Sequence, residues 1–216
     1  MRQTDAQQIE LFPATTRLTG REPEKLFDRL FFALVPDPRT AGAIEDLSCA
    51  FHRDRRLERK RQEVARQHVS LLHVGDYPRL RAKHRFAAEL AARRVAMPAF
   101  DVTFDALGSF AGPPPRADRR LPHPLVLQAR GSDAQAGQVA TRLCRQLHQA
   151  LGRKGPAATE SATLHLTLSY GPETIPRQAI TPIRFTADEF VLVHSEVGLT
   201  RHHVLGRWPL DAAARP

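Results

Sequence analysis

Apolar residues recur along this chain at two spacings, and each spacing predicts one type of element. Apolar residues that alternate with polar ones, or form a short unbroken run, predict a strand, whereas a recurrence every three or four positions predicts an amphipathic helix. The patterns predict strands over 28–36, 67–72, 100–110, 124–131, 164–169, 183–185, 189–197 and 203–210. They predict helices from a cap at Asp37 or Thr40 to about Phe51, over 77–96 and over 133–151. Helices and strands therefore both contribute to the predicted fold.

The same order of elements occurs twice along the chain. An opening strand, a helix and a histidine-containing strand span about forty residues in each copy. A glycine follows the histidine strand in both copies, Gly75 in the first and Gly171 in the second. Such a repeat indicates a duplicated structural element, and pseudo-two-fold symmetry would bring the two histidine strands face to face across a cleft.

The segments before and between the repeats predict the domain limits. Residues 1–25 are polar and without sustained periodicity, so we expect a flexible tail there. Residues 111–124 hold a proline triplet and several arginines, which predict a loop between the repeats. We therefore predict a single domain over 26–212, with two lobes formed around 28–110 and 124–210.

Each histidine strand carries a histidine and a hydroxyl residue two positions apart. Side chains alternate along a strand, so His68 and Ser70 share one face of the first strand. His165 and Thr167 share one face of the second strand in the same way. The residues between and beside them are apolar and are expected to face a core. Each strand therefore presents an imidazole and a hydroxyl to one place.

Two imidazoles on opposite walls of a cleft suit the cleavage of a phosphodiester. In-line attack at phosphorus needs a base that activates the nucleophile and an acid that protonates the leaving oxygen. An unperturbed pKa of about 6.5 lets one histidine be neutral and the other protonated near neutral pH. We expect His68 and His165 to be the catalytic residues, with Ser70 and Thr167 donating hydrogen bonds to the phosphoryl oxygens. This scheme requires no metal and no cofactor.

Charge and cysteine content bear on the partner and the compartment. Lys and Arg number 32 against 23 Asp and Glu, and the formal net charge of +9 favours a polyanionic partner such as nucleic acid. An Arg-rich proteome gives the same balance, and we interpret the basic stretch 53–66 as a solvated surface loop. Cys49 and Cys144 form neither a disulfide framework nor a zinc motif. Without a signal peptide or a membrane-length apolar stretch, we expect a cytoplasmic monomer with no membrane contact.

The paired motifs resemble the His-x-Thr/Ser-x signatures of the 2H phosphoesterase superfamily. They occupy 68–71 (His-Val-Ser-Leu) and 165–168 (His-Leu-Thr-Leu). The opening run 29–34 and the spacing of the motifs are similar to the bacterial branch of that superfamily, the RNA 2',3'-cyclic phosphodiesterases, also called the 2'-5' RNA ligase family. The resemblance spans roughly 28–210. Ser70 stands where threonine is commoner in the family, but it keeps the hydroxyl.

The resemblance implies both a fold and an activity. The fold would be α+β and bilobal, a duplicated arrangement with two antiparallel sheets lining a central cleft and helices on the outside. The activity would be metal-independent hydrolysis of RNA 2',3'-cyclic phosphate ends to 2'-phosphate. By that similarity His165 would be the base that activates water and His68 the acid for the departing 3' oxygen, while Ser70 and Thr167 hold the phosphate.

Two residues outside the motifs are candidates for further substrate contacts. Phe110, at the edge of the proline-rich loop, has the position to stack on a base, although a core residue has the same sequence pattern. Arg130, which ends a predicted strand, is a candidate for a terminal phosphate, and a solvent-facing arginine is the alternative.

The remaining histidines of interest have simpler interpretations. His73 would lie on the opposite face from His68 if the strand is regular. We interpret His194, in a late predicted strand, as a structural residue rather than a part of the cleft. His202 and His203 lie beside a predicted turn and are expected at the surface.

Other functions remain open at the level of sequence. The same chemistry serves a 2'-5' RNA ligase or a cyclic-nucleotide phosphodiesterase, which product analysis separates from the hydrolysis of RNA ends. A non-catalytic nucleic-acid-binding module predicts affinity without turnover. The tail segment Gln8, Ile9, Leu11 and Phe12 resembles peptides that dock on the replicative sliding clamp, and an unstructured tail is the alternative.

Overall fold

The computed structural model describes residues 25–110, 123–129, 134–153 and 164–211. Its helices are α1 (Pro38–Asp54), α2 (Ala82–Ala92) and α3 (Ala134–Ala150), and a short 3-10 helix covers Val64–Arg66. Its strands are β1 (Phe27–Leu34), β2 (Lys60–Arg61), β3 (Val69–Tyr77), β4 (Phe100–Ser109), β5 (His123–Gln128), β6 (His165–Gly171), β7 (Gln178–Ala187), β8 (Glu189–Val197) and β9 (Arg201–Pro209). The predicted helices and strands are confirmed in type and order. The short β2 and the 3-10 helix lie within the stretch that was predicted to be a loop.

Two helix starts show how local chemistry sets the element limits. Asp37 caps α1, because its side chain accepts hydrogen bonds from the backbone of Arg39 at 2.9 Å and of Thr40 at 3.0 Å. Helix α2 begins later than the predicted residue 77, because Tyr77 still pairs with Asp28 as the last residue of β3. The cap at Asp37 is confirmed, and the early start of α2 is corrected.

The described strands form one connected antiparallel sheet of nine strands. Eight of them follow the order β7-β4-β5-β6-β3-β1-β8-β9, and β2 pairs with β6. The two histidine strands, β3 and β6, lie at the centre and share a single residue pair, Val69 with Leu166. The strands therefore follow one continuous path rather than two separate sheets, but one pair alone joins the two four-stranded halves. Each half takes strands from both repeats.

The two faces of β1 serve different purposes. Leu30, Phe32 and Leu34 belong to the main core, which also contains apolar residues from all three helices. The alternate residues of β1 join β8 in a second, smaller apolar cluster, formed by Phe31, Ala33, Val191 and Val193. The candidate site described below lies on this second face. None of the helices within the described ranges combines the length and apolarity needed to cross a bilayer.

Candidate active site

The two histidine motifs interleave where β3 meets β6. Val69 and Leu166, the pair that joins the strands, are fully buried. In an antiparallel pair, one residue forward on one strand lies beside one residue back on the other. The residues that flank the Val69–Leu166 pair are therefore neighbours, His68 beside Thr167 and Ser70 beside His165. Since side chains alternate, these four residues share the face opposite to the buried pair. The junction thus brings together the four residues predicted from the motifs.

Both histidine strands contain a β-bulge at the same place in the motif. The pairing registers skip Leu71 in β3 and Leu168 in β6. One extra residue reverses the alternation of side chains, so His73 and Tyr170 return to the face that carries the motif hydroxyls. A side-chain hydrogen bond between Tyr170 and Thr167 agrees with this geometry. The expected placement of His73 on the opposite face is wrong, because it assumed a strand without a bulge.

His68 is buried and held by the backbone that precedes it. Its Nδ1 donates a hydrogen bond to the carbonyl oxygen of Arg66 at 2.7 Å, because a carbonyl can only accept. The pKa of His68 is lowered to about 4, mainly by burial; the hydrogen bond to the Arg66 carbonyl opposes this lowering, and the charges of Arg66 and His165 add to it. At neutral pH, His68 is therefore uncharged and Nε2 carries a lone pair.

His165 lies at the start of β6 and is half-buried. The ring of Phe110 packs edge-on against it, with 4.9 Å between the ring centroids. Phe110 therefore lies at the candidate site, in contact with the histidine. Arg130, the other predicted substrate contact, falls outside the described residues, as do Gln8, Ile9, Leu11 and Phe12.

His202 is a member of the site that the sequence prediction missed. Strand β9 pairs His202 with Ser195 of β8, which places it on the face of Phe31. Its ring lies 5.4 Å from the ring of His68 and 5.7 Å from that of Phe31. Burial lowers the pKa of His202 to about 3, and the charges of His68 and Arg66 add to this effect. The expectation that His202 is a surface residue is therefore wrong; the hairpin register, rather than any local pattern, decides its position.

The basic stretch before the first motif is not wholly solvated, because it contributes one buried and one half-buried arginine side chain. The Arg59 side chain is fully buried and donates to Ser169 Oγ at 3.2 Å and to the Glu173 carbonyl at 2.8 Å, as well as to the His123 carbonyl. Arg59 thereby links β5, β6 and the segment that follows β6. The second is Arg66, whose guanidinium acts on the pKa values of His68, His202 and Tyr170.

His194 has the structural role that was expected of it. Its Nε2 lies 2.6 Å from Oδ1 of Asp28, a buried carboxylate that also accepts from the backbone of Leu80 at 2.7 Å. The exposed His203 contacts Glu196 at 3.2 Å, as expected for a surface residue. Within the described ranges, no cluster of three or more His, Cys, Asp and Glu side chains is arranged to hold a metal ion.

Fold and motifs together define a class of protein. A mostly antiparallel α+β fold that carries two His-x-Ser/Thr motifs at one junction is the architecture of a 2H phosphoesterase. The family model described as the 2'-5' RNA ligase superfamily matches residues 36–199, so the chain belongs to this superfamily.

Solved structures from two organisms share the fold. The apo form of E. coli LigT is 21% identical, with a TM-score of 0.63, and the match covers 85% of this chain and 97% of that one. LigT complexed with 3'-AMP is 21% identical, with a TM-score of 0.59, and the match covers 85% of this chain and 98% of that one. TT0787 of Thermus thermophilus is 18% identical, with a TM-score of 0.60, and the match covers 86% of this chain and 99% of that one. At these identities the likeness shows the fold alone. A search of curated proteins gave no match.

Proposed function

We propose that this protein is a phosphodiesterase that hydrolyses RNA 2',3'-cyclic phosphate ends to 2'-phosphate, using His68 and His165 as the acid–base pair. The observation that carries the proposal is the pairing of Val69 with Leu166, because it sets each histidine beside the hydroxyl residue of the other motif. Membership of the 2'-5' RNA ligase superfamily supports the same class of chemistry.

In the proposed reaction, one proton is removed from water and another is given to the leaving oxygen. His165 accepts the proton of the attacking water, whose oxygen forms a bond to phosphorus. The bond from phosphorus to the 3' oxygen breaks, and His68 protonates that oxygen. Ser70 and Thr167 donate hydrogen bonds to the non-bridging oxygens as negative charge develops. The proton on His165 then returns to His68 through solvent, which restores the starting state.

The acid role requires His68 to take up a proton when the substrate binds. Its pKa of about 4 leaves it uncharged in the unliganded protein at neutral pH. An anionic phosphate beside the ring favours the imidazolium, and the Arg66 carbonyl already accepts from Nδ1. The proton that reaches the leaving oxygen is therefore the one on Nε2. Binding of the phosphate and protonation of His68 are coupled in this scheme.

The proposed function includes a bilobal arrangement of the fold. In this arrangement the two four-stranded halves are the lobes of a duplicated domain, and the histidine strands line the cleft between them. Phe110, next to His165, stacks on the terminal base, while Arg130 and the basic surface contact the RNA phosphates. The interlocking of the two motifs around a single strand pair supports the duplicated arrangement.

A cyclic-phosphate-terminated oligonucleotide tests the function directly. We expect the full-length protein to open the cyclic phosphate in the presence of EDTA, and product analysis to find a 2'-phosphate. His68→Ala and His165→Ala should each lower the rate by about 10²–10⁴-fold. Absence of hydrolysis by the wild-type protein, or variants as active as the wild type, would contradict the proposal.

Ligation at a 2'-5' linkage is the second candidate, because the matching family is described by that activity. Ligation is the reverse kind of transfer at the same phosphorus and would use the same acid–base pair. Incubation of an oligonucleotide with a cyclic phosphate end and a second one with a free 5' hydroxyl separates the two. A longer product with a 2'-5' linkage supports ligation, and a 2'-phosphate product supports hydrolysis.

A further inference from the structure

Arg66 is the last residue of the 3-10 helix and lies two positions before His68. Its carbonyl accepts from Nδ1 of His68 at 2.7 Å and from Nε2 of Gln62 at 3.3 Å, which fixes its backbone against the site. The residue between them, Gln67, has an extended backbone with φ −64° and ψ 125°. The side chain of Arg66 is half-buried with its Nε buried, and its charge acts on the neighbouring ring of His68.

Three elements of the fold converge on the Arg66 guanidinium. Its positive charge lowers the pKa of His68 before β3, of His202 on β9 and of Tyr170 on β6. His68 and His202 are themselves adjacent, with ring centroids 5.4 Å apart. A group that acts on all three residues lies where these strands come together, beside the motif residues.

Arg66 differs from the other buried arginines in its partners. Arg29 forms a two-point ion pair with Asp76, with N–O distances of 2.7 Å and 2.6 Å. Arg59 donates to a hydroxyl and to two carbonyls. The buried Nε–H of Arg66 has no hydrogen-bond acceptor within the described ranges, and Glu63 acts on its charge only from a solvent-exposed position.

A buried N–H of a charged group that lacks an acceptor is costly, and partial burial lowers the pKa of Arg66 in keeping with that cost. The histidines beside it are uncharged at neutral pH and offer no compensation. An anion that enters the cleft supplies the missing charge. A guanidinium suits a phosphate especially well, because its N–H groups form a fork that matches two phosphoryl oxygens.

We propose that Arg66 is a substrate-binding residue whose guanidinium contacts an anionic oxygen of the phosphate held between His68 and His165. This inference rests on the proposed function and adds the positive charge that the two histidine motifs lack. The hydroxyls of Ser70 and Thr167 bind the phosphate from the strands, and Arg66 binds it from the segment before β3. The bound phosphate then favours protonation of His68, whose pKa the guanidinium otherwise holds down.

Calorimetric titration of the full-length protein with inorganic phosphate tests the inference without requiring turnover. Arg66→Gln should weaken phosphate binding at least about tenfold, the loss expected for a charge-assisted contact. Arg94→Gln, which removes the same charge from an exposed position after α2, should leave binding unchanged. We also expect Arg66→Gln to raise the Tm of the unliganded protein, because the variant no longer buries an unpaired charge. A purely structural arginine would lower the Tm on removal.

Further outcomes separate this inference from the proposed function. Suppose that the wild type binds phosphate but opens no cyclic phosphate, and that Arg66→Gln loses the binding. This result would contradict the proposed function and support the inference. Hydrolysis and phosphate binding that are both unchanged in Arg66→Gln would end the inference alone. Should the variant fail to fold, the Nε–H signal of Arg66 in the NMR spectrum of the wild type decides: a shift on phosphate addition supports the contact, and an unchanged signal overturns it.

Discussion

A single backbone contact decides which nitrogen of His68 is available for the proposed reaction. Nδ1 donates to the Arg66 carbonyl, so Nε2 is the atom left to exchange a proton in the proposed reaction. The sequence motif names the histidine but says nothing of its tautomer, which depends on this contact. The division of labour between His68 and His165 is therefore best tested through the leaving group.

A sulfur leaving group separates the acid from the base. A cyclic phosphate with a 3' sulfur in place of the 3' oxygen releases a thiolate, which needs little help from an acid. We expect His68→Ala to lose about 10²–10⁴-fold in kcat/KM on the oxygen substrate and far less on the sulfur substrate. His165→Ala should lose activity on both, because water still needs its base. If the sulfur substrate restores the activity of His165→Ala and not that of His68→Ala, then His165 is the acid and His68 is the base.

Burial of two neutral histidines makes the protein sensitive to mild acid. Their pKa is about 6.5 in the unfolded chain but about 4 for His68 and about 3 for His202 in the folded protein. Between these values the unfolded chain binds more protons, so the free energy of unfolding falls as the pH drops from about 7 to about 4. His202→Gln should flatten this slope by up to about 1 kcal/mol per pH unit, as measured by urea denaturation.

The neighbouring His203 provides the matched control for this measurement. It is exposed and contacts Glu196, so His203→Gln should leave the slope nearly as it is between about pH 7 and about pH 5, above the range in which Glu196 takes up a proton. Asp28, with a pKa of about 2, loses its charge only in stronger acid. A slope that His202→Gln does not change would show that His202 is not buried as a neutral side chain.

At the scale of elements, the glycine that follows each motif makes room for a neighbouring side chain. A Cβ on Gly171 would lie 2.6 Å from Cγ of Arg59, in the middle of a fully buried side chain. A Cβ on Gly75 would meet the hydroxyl of Tyr77 at 2.6 Å, at the tip of a half-buried side chain. The same close approach therefore has different consequences in the two copies.

Gly171→Ala is expected to destabilise the protein by about 1–3 kcal/mol, because Arg59 cannot move without breaking its hydrogen bonds. Gly75→Ala should cost less, since the ring of Tyr77 can turn away. Chemical denaturation of both variants measures the difference. An equal loss of stability would mean that Arg59 does not hold its position.

The sequence predicted the helices and strands better than their irregularities and their pairing. Alternation and motif spacing predicted the histidine strands and the four motif residues, because those patterns are local. The bulges at Leu71 and Leu168 carry no comparable signal, so the position of His73 was wrong. His202 reaches the site through strand pairing with a distant segment. Arg66 lies two positions before His68, but a periodic pattern cannot distinguish a half-buried arginine from a solvated one.

At the scale of the whole molecule, the order of strands is the least predictable feature. The repeat suggested that each half of the chain forms its own lobe. In the structure, β4 pairs with β5 and β7, while β8 and β9 extend the half that begins with β1 and β3. Strands pair so that their remaining apolar faces become buried, whatever their distance in the sequence. Each half of the sheet therefore combines early and late strands of the chain.

This exchange of strands governs when the protein can fold during its synthesis. Asp28 on β1 and His194 on β8 are 166 positions apart, yet they are hydrogen-bonded neighbours in the sheet. A ribosome must therefore add and release these 166 further residues before Asp28 on β1 finds its partner on β8, and until then an aggregation-prone edge stays open to other chains. Nascent copies of this protein depend on the β8–β9 hairpin, which is made after the other described strands, for completion of the half that was begun first.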